Sequence, residues 1–159
     1  MSDARFARAL RRLARPWLAV LLFAGMTSTG CGRIVRIHVT STSTTNAALP
    51  FYMLVRAVDA KAYLSESYAD IAPKVVTPDA SVIKSVQIYP GMPMTMWVSP
   101  PDGKKAIATY FLFTEPVEPW RMIFEPPAPL LVDIELEGSR IRPDAKLTGQ
   151  PKAPEAPKM

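Results

Sequence analysis

The spacing of apolar positions divides the 159-residue chain into stretches of different period. Trp17 to Met26 (WLAVLLFAGM) is an unbroken apolar block. From Arg33 to Arg142 the dominant period is two, as in strands with one face buried. Inside that region, Asp59 to Ala72 follows a helical period instead. From Pro143 to Met159 (PDAKLTGQPKAPEAPKM) no apolar face can be drawn, and the composition predicts a disordered tail.

The alternation is clearest at the two ends of the period-two region. In RIVRIHVT, Val35, Ile37 and Val39 point one way and Arg36, His38 and Thr40 the other. In PLLVDIELE, Leu130, Val132, Ile134 and Leu136 oppose Leu131, Asp133, Glu135 and Glu137. Both read as half-buried strands with a wet outer face. Phe51 to Val58 (FYMLVRAV) is apolar on both faces apart from Arg56, which predicts a central strand. Ser81 to Tyr89 alternates loosely, Ala106 to Phe113 is a strong strand, and Pro119 to Phe124 and Arg140 to Arg142 are short ones. Met92 to Val98 (MPMTMWV) sets Met92, Met94, Met96 and Val98 on a core side and Trp97 on the opposite side. Pro93 there argues for an edge strand, where a missing backbone donor does least harm. Turns are expected at Pro90-Gly91, Pro100 to Gly103 and Glu137-Gly138.

In DAKAYLSESYADIA, the residues Ala60, Tyr63, Leu64, Ser67, Tyr68 and Ile71 share one helical face, Asp59 is placed to cap the first turn, and Pro73 ends the helix. Two strands, one amphipathic helix and then five or six strands predict an all-β, two-layer sandwich with an inserted helix at one edge.

Composition matters mainly before residue 31. Arg5, Arg8, Arg11, Arg12 and Arg15, the apolar block and the small residues Thr27 to Gly30 follow the order of a secretory signal peptide. The block is about half of the ~20 apolar residues that a membrane-spanning helix needs. The chain has 19 Lys and Arg against 14 Asp and Glu, but five of the basic residues and Asp3 precede Cys31. The remainder is close to neutral, so the basic precursor gives no argument for nucleic acid. Cys31 is the single cysteine, which excludes an internal disulfide. Ser28, Thr29, Gly30 and Cys31 resemble the end of a bacterial lipoprotein signal, although that pattern favours Leu where Ser28 stands. The resemblance implies cleavage after residue 30 and a covalent lipid on Cys31; several acyl chains make such an anchor effectively permanent. The expected organisation is a cleaved signal over 1–30, a sandwich over 31–142 and the tail over 143–159.

Catalytic chemistry is scarce. His38 lies on the polar face of the first strand without a positioned partner, and a lone histidine among scattered carboxylates lacks metal-ligand spacing. Glu115 and Glu118 in FTEPVEPW are three apart but read as solvating a loop. Neither an enzyme nor a cofactor is expected.

Taken in order, the features of Ile34 to Arg142 resemble the TssJ lipoproteins of type VI secretion systems. The resemblance rests on the lipidated start, a polar loop containing Asn46, and Pro50 opening the second strand. It continues through the helix with Tyr63 and Leu64, the Tyr89-Pro90-Gly91 turn, and Trp120-Arg121 after the long strand in YFLFTEPVEPWRMI. It implies a transthyretin-like β-sandwich at the outer membrane, facing the periplasm. It also implies a structural role: holding the periplasmic end of the inner-membrane core protein TssM. In the family the loop between the first two strands contributes to that contact, which maps to Ser41 to Leu49 and names Thr42, Ser43, Thr44, Thr45 and Asn46 as partner-binding residues. Gly32 is not the Asp that resembles an inner-membrane retention signal, which favours the outer membrane. The rival expectation is a lipoprotein binding a small molecule in an apolar pocket around Tyr52, Tyr110 and Trp97.

Overall fold

The computed structural model describes residues 34–100 and 105–143 and the backbone of 146–148, all within the second of the two units into which the chain divides, Gly32–Met159. The signal segment, Cys31, most of the Pro100 to Gly103 turn and most of the tail lie outside the described residues.

Nine strands and two short α-helices follow in the order β1 (Val35–Ser41), β2 (Phe51–Val58), α1 (Ala60–Ser65), α2 (Tyr68–Ile71), β3 (Val82–Ile88), β4 (Met94–Val98), β5 (Ala106–Leu112), β6 (Arg121–Phe124), β7 (Leu131–Glu137), β8 (Arg140–Ile141) and β9 (Lys146–Thr148). One sheet has the order β4-β1-β7-β8, with β9 also on β7; the other is β3-β2-β5-β6. β1 is antiparallel to β4 and parallel to β7, with Ile37 opposite both Met96 and Val132.

The inward sides of the first sheet, Val35, Ile37, Val39, Met96, Val98, Val132, Ile134 and Leu136, share one core with Phe51, Met53, Val55 and Phe111 of the second. The methionine side of β4 is thus core at Met96 and half-buried at Met94, while Met92 lies before the strand and is exposed. β4 is an edge, as Pro93 predicts, and Trp97 faces outward. Leu130 departs from the alternation: β7 begins one residue later, and Leu130 is exposed while its carbonyl accepts from Arg36 N at 2.9 Å.

β2 and β5 are buried on both faces because the helical insert covers the outer side of their sheet. The expected single helix over Asp59 to Ala72 is divided. Asp59 caps α1 as predicted, accepting from Lys61 N at 2.9 Å. Ser67 and Asp70 then form their own capping box and start α2 out of phase with α1. The phase change leaves Tyr63 and Ile71 buried but Leu64 76% exposed. Pro73 does not end the segment; it sits in the first turn of a 3-10 helix, Ala72–Val75, where its missing N–H is harmless.

Arg121 explains why α1 stops. Its Nη1 donates to Tyr63 O at 2.5 Å and Glu66 O at 2.7 Å, placing a cation on the terminal carbonyls, with the guanidinium 4.6 Å from the Tyr63 ring centre. Beneath it, Arg56 donates to Glu66 at 2.7 Å, Glu66 also accepts from the Tyr110 hydroxyl, and Trp120 packs on Tyr68 and Tyr110. Burial first, then the hydrogen bond to Glu66 and its charge, push the Tyr110 pKa far up; burial also raises Tyr63 and Tyr68.

The tail is not wholly irregular. Lys146–Thr148 pairs antiparallel with Leu131 to Asp133, because β7 offers an open ladder beyond the short β8.

Candidate functional site: the pole opposite the start of β1

β1 spans the sandwich from one end to the other. With ~3.3 Å per residue its seven residues cover about 20 Å. At its start lies Ile34, three residues after Cys31. At its end lie the loop over 42–50, the β3–β4 turn, the segment from Phe113 to Trp120 and the turn at Gly138. This second end is the distal pole.

The loop is rigid at its base and strained at its tip. Thr45 and Asn46 are buried, 0% and 1% exposed, so two of the five expected contact residues hold the loop rather than face outward. Asn46 N donates to Gly138 O at 2.8 Å, its Nδ2 to Leu49 O at 2.9 Å, and its Oδ1 accepts from Thr114 N at 2.7 Å. Thr45 Oγ1 lies 3.0 Å from Thr42 Oγ1 and donates to Leu136 O at 3.4 Å. These contacts tie the loop to three neighbouring segments.

They also hold three successive residues in the left-handed region: Asn46 at φ 52°, Ala47 at 53° and Ala48 at 63°. For alanine this costs on the order of 1–2 kcal/mol per residue. Such strain persists only where the surroundings enforce it, and it concentrates at functional surfaces. The result is an outward tip of Ala47, Ala48 and Leu49 beside the exposed Thr42, Ser43 and Thr44.

The Tyr89-Pro90-Gly91 turn braces the loop. Gly91 N donates to Ser41 Oγ at 3.1 Å, and a Cβ on Gly91, whose φ is +77°, would come 3.3 Å from Ser43 Cα. The conformation favours glycine there, and a side chain would also crowd the Ser43 backbone. Around this brace Leu49, Tyr52, Tyr89 and Met92 are exposed, giving an apolar rim to a small-polar loop. The sequence marked the loop but not the rim, since the alternation put Met92 on the core side of a strand and Tyr52 was a candidate for a ligand pocket.

The remaining candidates do not converge. Tyr110 is fully buried under the helical insert, Tyr52 is at the margin of the same sheet face, and Trp97 lies on the outer face of the other sheet. A core separates Trp97 from the other two, so the expected pocket does not form around them. The depression bounded by Thr40 to Thr42, Glu135 to Glu137 and Arg142 holds about 220 Å³, below the ~300–1,000 Å³ of ligand pockets, and a second, shallower one along Val117 and Glu137 to Arg140 holds about 340 Å³ but is lined by none of Tyr52, Tyr110 and Trp97. His38 Nδ1 lies 2.8 Å from Thr95 Oγ1 on the outer sheet face, and exposed Glu118 accepts from Trp120 Nε1 at 2.8 Å. Among the described residues no three of His, Cys, Asp and Glu gather as metal ligands, and no helix is long and apolar enough to cross a membrane.

Solved structures share this architecture. TssJ1, the type VI secretion lipoprotein of Pseudomonas aeruginosa, is similar at 15% identity over 72% of this chain and 97% of that one, with a TM-score of 0.55. Serratia marcescens Lip, described as a membrane-bound component of the type VI secretion system, is similar at 18% identity over 72% and 98%, with a TM-score of 0.50. A chain in the structure of the "T6SS protein TssM C-terminal domain (869-1107) from EAEC" is similar at 19% identity over 69% and 95%, with a TM-score of 0.55. These likenesses define the class: a two-sheet sandwich of the TssJ type. The family model "IglE, N-terminal domain" matches residues 52–136, more than half of the chain, and the chain belongs to that family. No curated protein matches it.

Proposed function

We propose that this chain is the lipoprotein of a type VI secretion system, anchored in the outer membrane by lipid on Cys31, and that its distal pole holds the periplasmic part of TssM. The observation that carries the reading is the disposition of the two ends of β1. One end follows the anchor site after three residues; the other delivers a braced, strained loop with an apolar rim about 20 Å away. A tether needs two separated attachment points joined by something stiff, and the sandwich supplies both. The role is structural, with the lipid as the sole attached group.

The matched structures support the same reading. The chain in the structure titled for TssM residues 869–1107 is 95% covered by 69% of these 159 residues. It is therefore about the length of this sandwich, under half the span given to TssM, and has the size of a partner in that structure.

The loop contacts expected from Thr42, Ser43, Thr44, Thr45 and Asn46 divide accordingly. Thr42 to Thr44 face the partner together with Ala47 to Leu49, whereas Thr45 and Asn46 set the shape. The test is a pull-down from detergent-solubilised envelope with the wild type, Leu49→Asp/Met92→Asp and Cys31→Ala. The wild type recovers the large inner-membrane core protein, and the distal-pole variant loses it while remaining folded. Cys31→Ala retains binding in detergent but leaves the membrane fraction. Recovery of the core protein by the distal-pole variant at wild-type level would refute the assigned surface.

A further inference from the structure

The opposite, proximal pole carries an exposed group that the partner contact does not use. Trp97 is 62% exposed on the outer face of β4; one exposed aromatic is ordinary, but one with further exposed apolar residues beside it marks a contact surface. Its register neighbour on β1 is Arg36, and the neighbour of Arg36 on β7 is Leu131. The three form a row across the sheet: an exposed indole, an exposed cation and a half-buried leucine. Ile34, two residues before Arg36, and Leu130, whose carbonyl accepts from Arg36 N, are also exposed. An apolar band with one arginine in it thus lies at the end of the sheet where β1 starts.

We propose that this band rests in the phospholipid surface beside the anchor, with Trp97 at headgroup level and Arg36 on the lipid phosphates. The inference builds on the reading of Cys31 as the lipid attachment site. Two features identify lipid as the occupant. The first is reach: Ile34 is three residues after Cys31, so their Cα atoms are at most ~11 Å apart, and the band cannot move far from a membrane that holds Cys31. The second is charge. Arg36 is the first charged side chain among the described residues of this outer face, and the carboxylates Asp133, Glu135 and Glu137 lie farther along β7 toward the distal pole, where Arg142 pairs with Glu135 and Glu137 and Arg140 stands opposite Glu137. That order places the cation against an anionic surface and the carboxylates away from it. Tryptophan at the boundary between water and acyl chains, with arginine beside it, is the arrangement that membrane interfaces favour. The contact would fix the tilt of the sandwich, which a single point of attachment alone does not set.

The test uses the full lipidated protein in vesicles of phosphatidylethanolamine and phosphatidylglycerol, with lipids brominated near the headgroup end of the acyl chain. Once the leader with Trp17 is removed, emission comes from Trp97 and the buried Trp120. Flotation of the protein with quenching of a large part of the emission, abolished by Trp97→Phe and weakened by Arg36→Glu, supports the proposal. Flotation without quenching overturns it and leaves the lipid anchor standing. Failure to float overturns both. Emission shielded in proportion to protein concentration, with no effect of bromine, would assign Trp97 to contact between copies and also overturn it.

Discussion

Asn46 is the residue on which the distal loop turns, and its replacement separates two contributions. Asn46→Ala removes the donor to Leu49 O and the acceptor for Thr114 N. Losing each bond while its backbone partner stays part-buried costs about 1 kcal/mol, at the low end for unsatisfied groups. Alanine must also adopt φ 52°, where asparagine is tolerated and alanine pays about 1 kcal/mol more. The sum is about 3 kcal/mol. Asn46→Gly loses the same two bonds but takes the left-handed conformation freely, so its loss is about 2 kcal/mol. Urea unfolding of both variants, with the slope checked for constancy, measures the difference. Gly less destabilising than Ala by about 1 kcal/mol is the expected result. Equal losses would show that backbone strain is not held by this side chain, and losses under about 1 kcal/mol in both would show that its hydrogen bonds do not hold the loop.

Other perturbations reach the rest of the sandwich. Thr109 Oγ1 is buried without a hydrogen-bond partner among the described residues, so Thr109→Val should raise stability by about 1 kcal/mol in the same assay. Arg56→Met strands the Glu66 carboxylate, whose side chain is 15% exposed, and should cost about 3 kcal/mol by thermal or urea unfolding. Gly91→Ala forces a Cβ towards Ser43 at positive φ; a loss of about 1–2 kcal/mol and weaker capture of the core protein are expected. Tyr63, Tyr68 and Tyr110 all hold their protons above the ordinary tyrosine value of 10.0, so the folded chain binds more protons than the unfolded one above that pH. The tyrosine contribution to stability is therefore level below about pH 10 and falls as pH rises beyond it, which urea midpoints from about pH 9 upward would show as a negative slope.

Much of the sandwich was legible because a buried face imposes period two on side chains. Val35, Ile37 and Val39, and Val132, Ile134 and Leu136, lie where alternation puts them. The two-faced burial of β2 was visible too, in a strand with one charged residue. Local signals failed where a distant side chain decided. Nothing within Asp59 to Ala72 announces that Arg121 will take the carbonyls of Tyr63 and Glu66, although Ser67 and Asp70, spaced as a capping box, are a local sign that a second helix starts there. The same holds in the loop. A run of Thr, Ser and Asn looks uniformly solvated, and only contacts with Gly138, Leu136 and Thr114 divide it into a buried base and a presented tip. Trp97 was placed outward by parity alone, whereas its row with Arg36 and Leu131 required the strand order.

The position of β1 between an antiparallel and a parallel neighbour has a mechanical consequence. If the membrane pulls on the start of β1 and a partner pulls beyond its end, the load runs along the strand, across hydrogen bonds to β4 and β7 that lie at right angles or slanted to it. Such ladders are sheared together rather than unzipped one bond at a time, so tension meets both seams of the sheet at once.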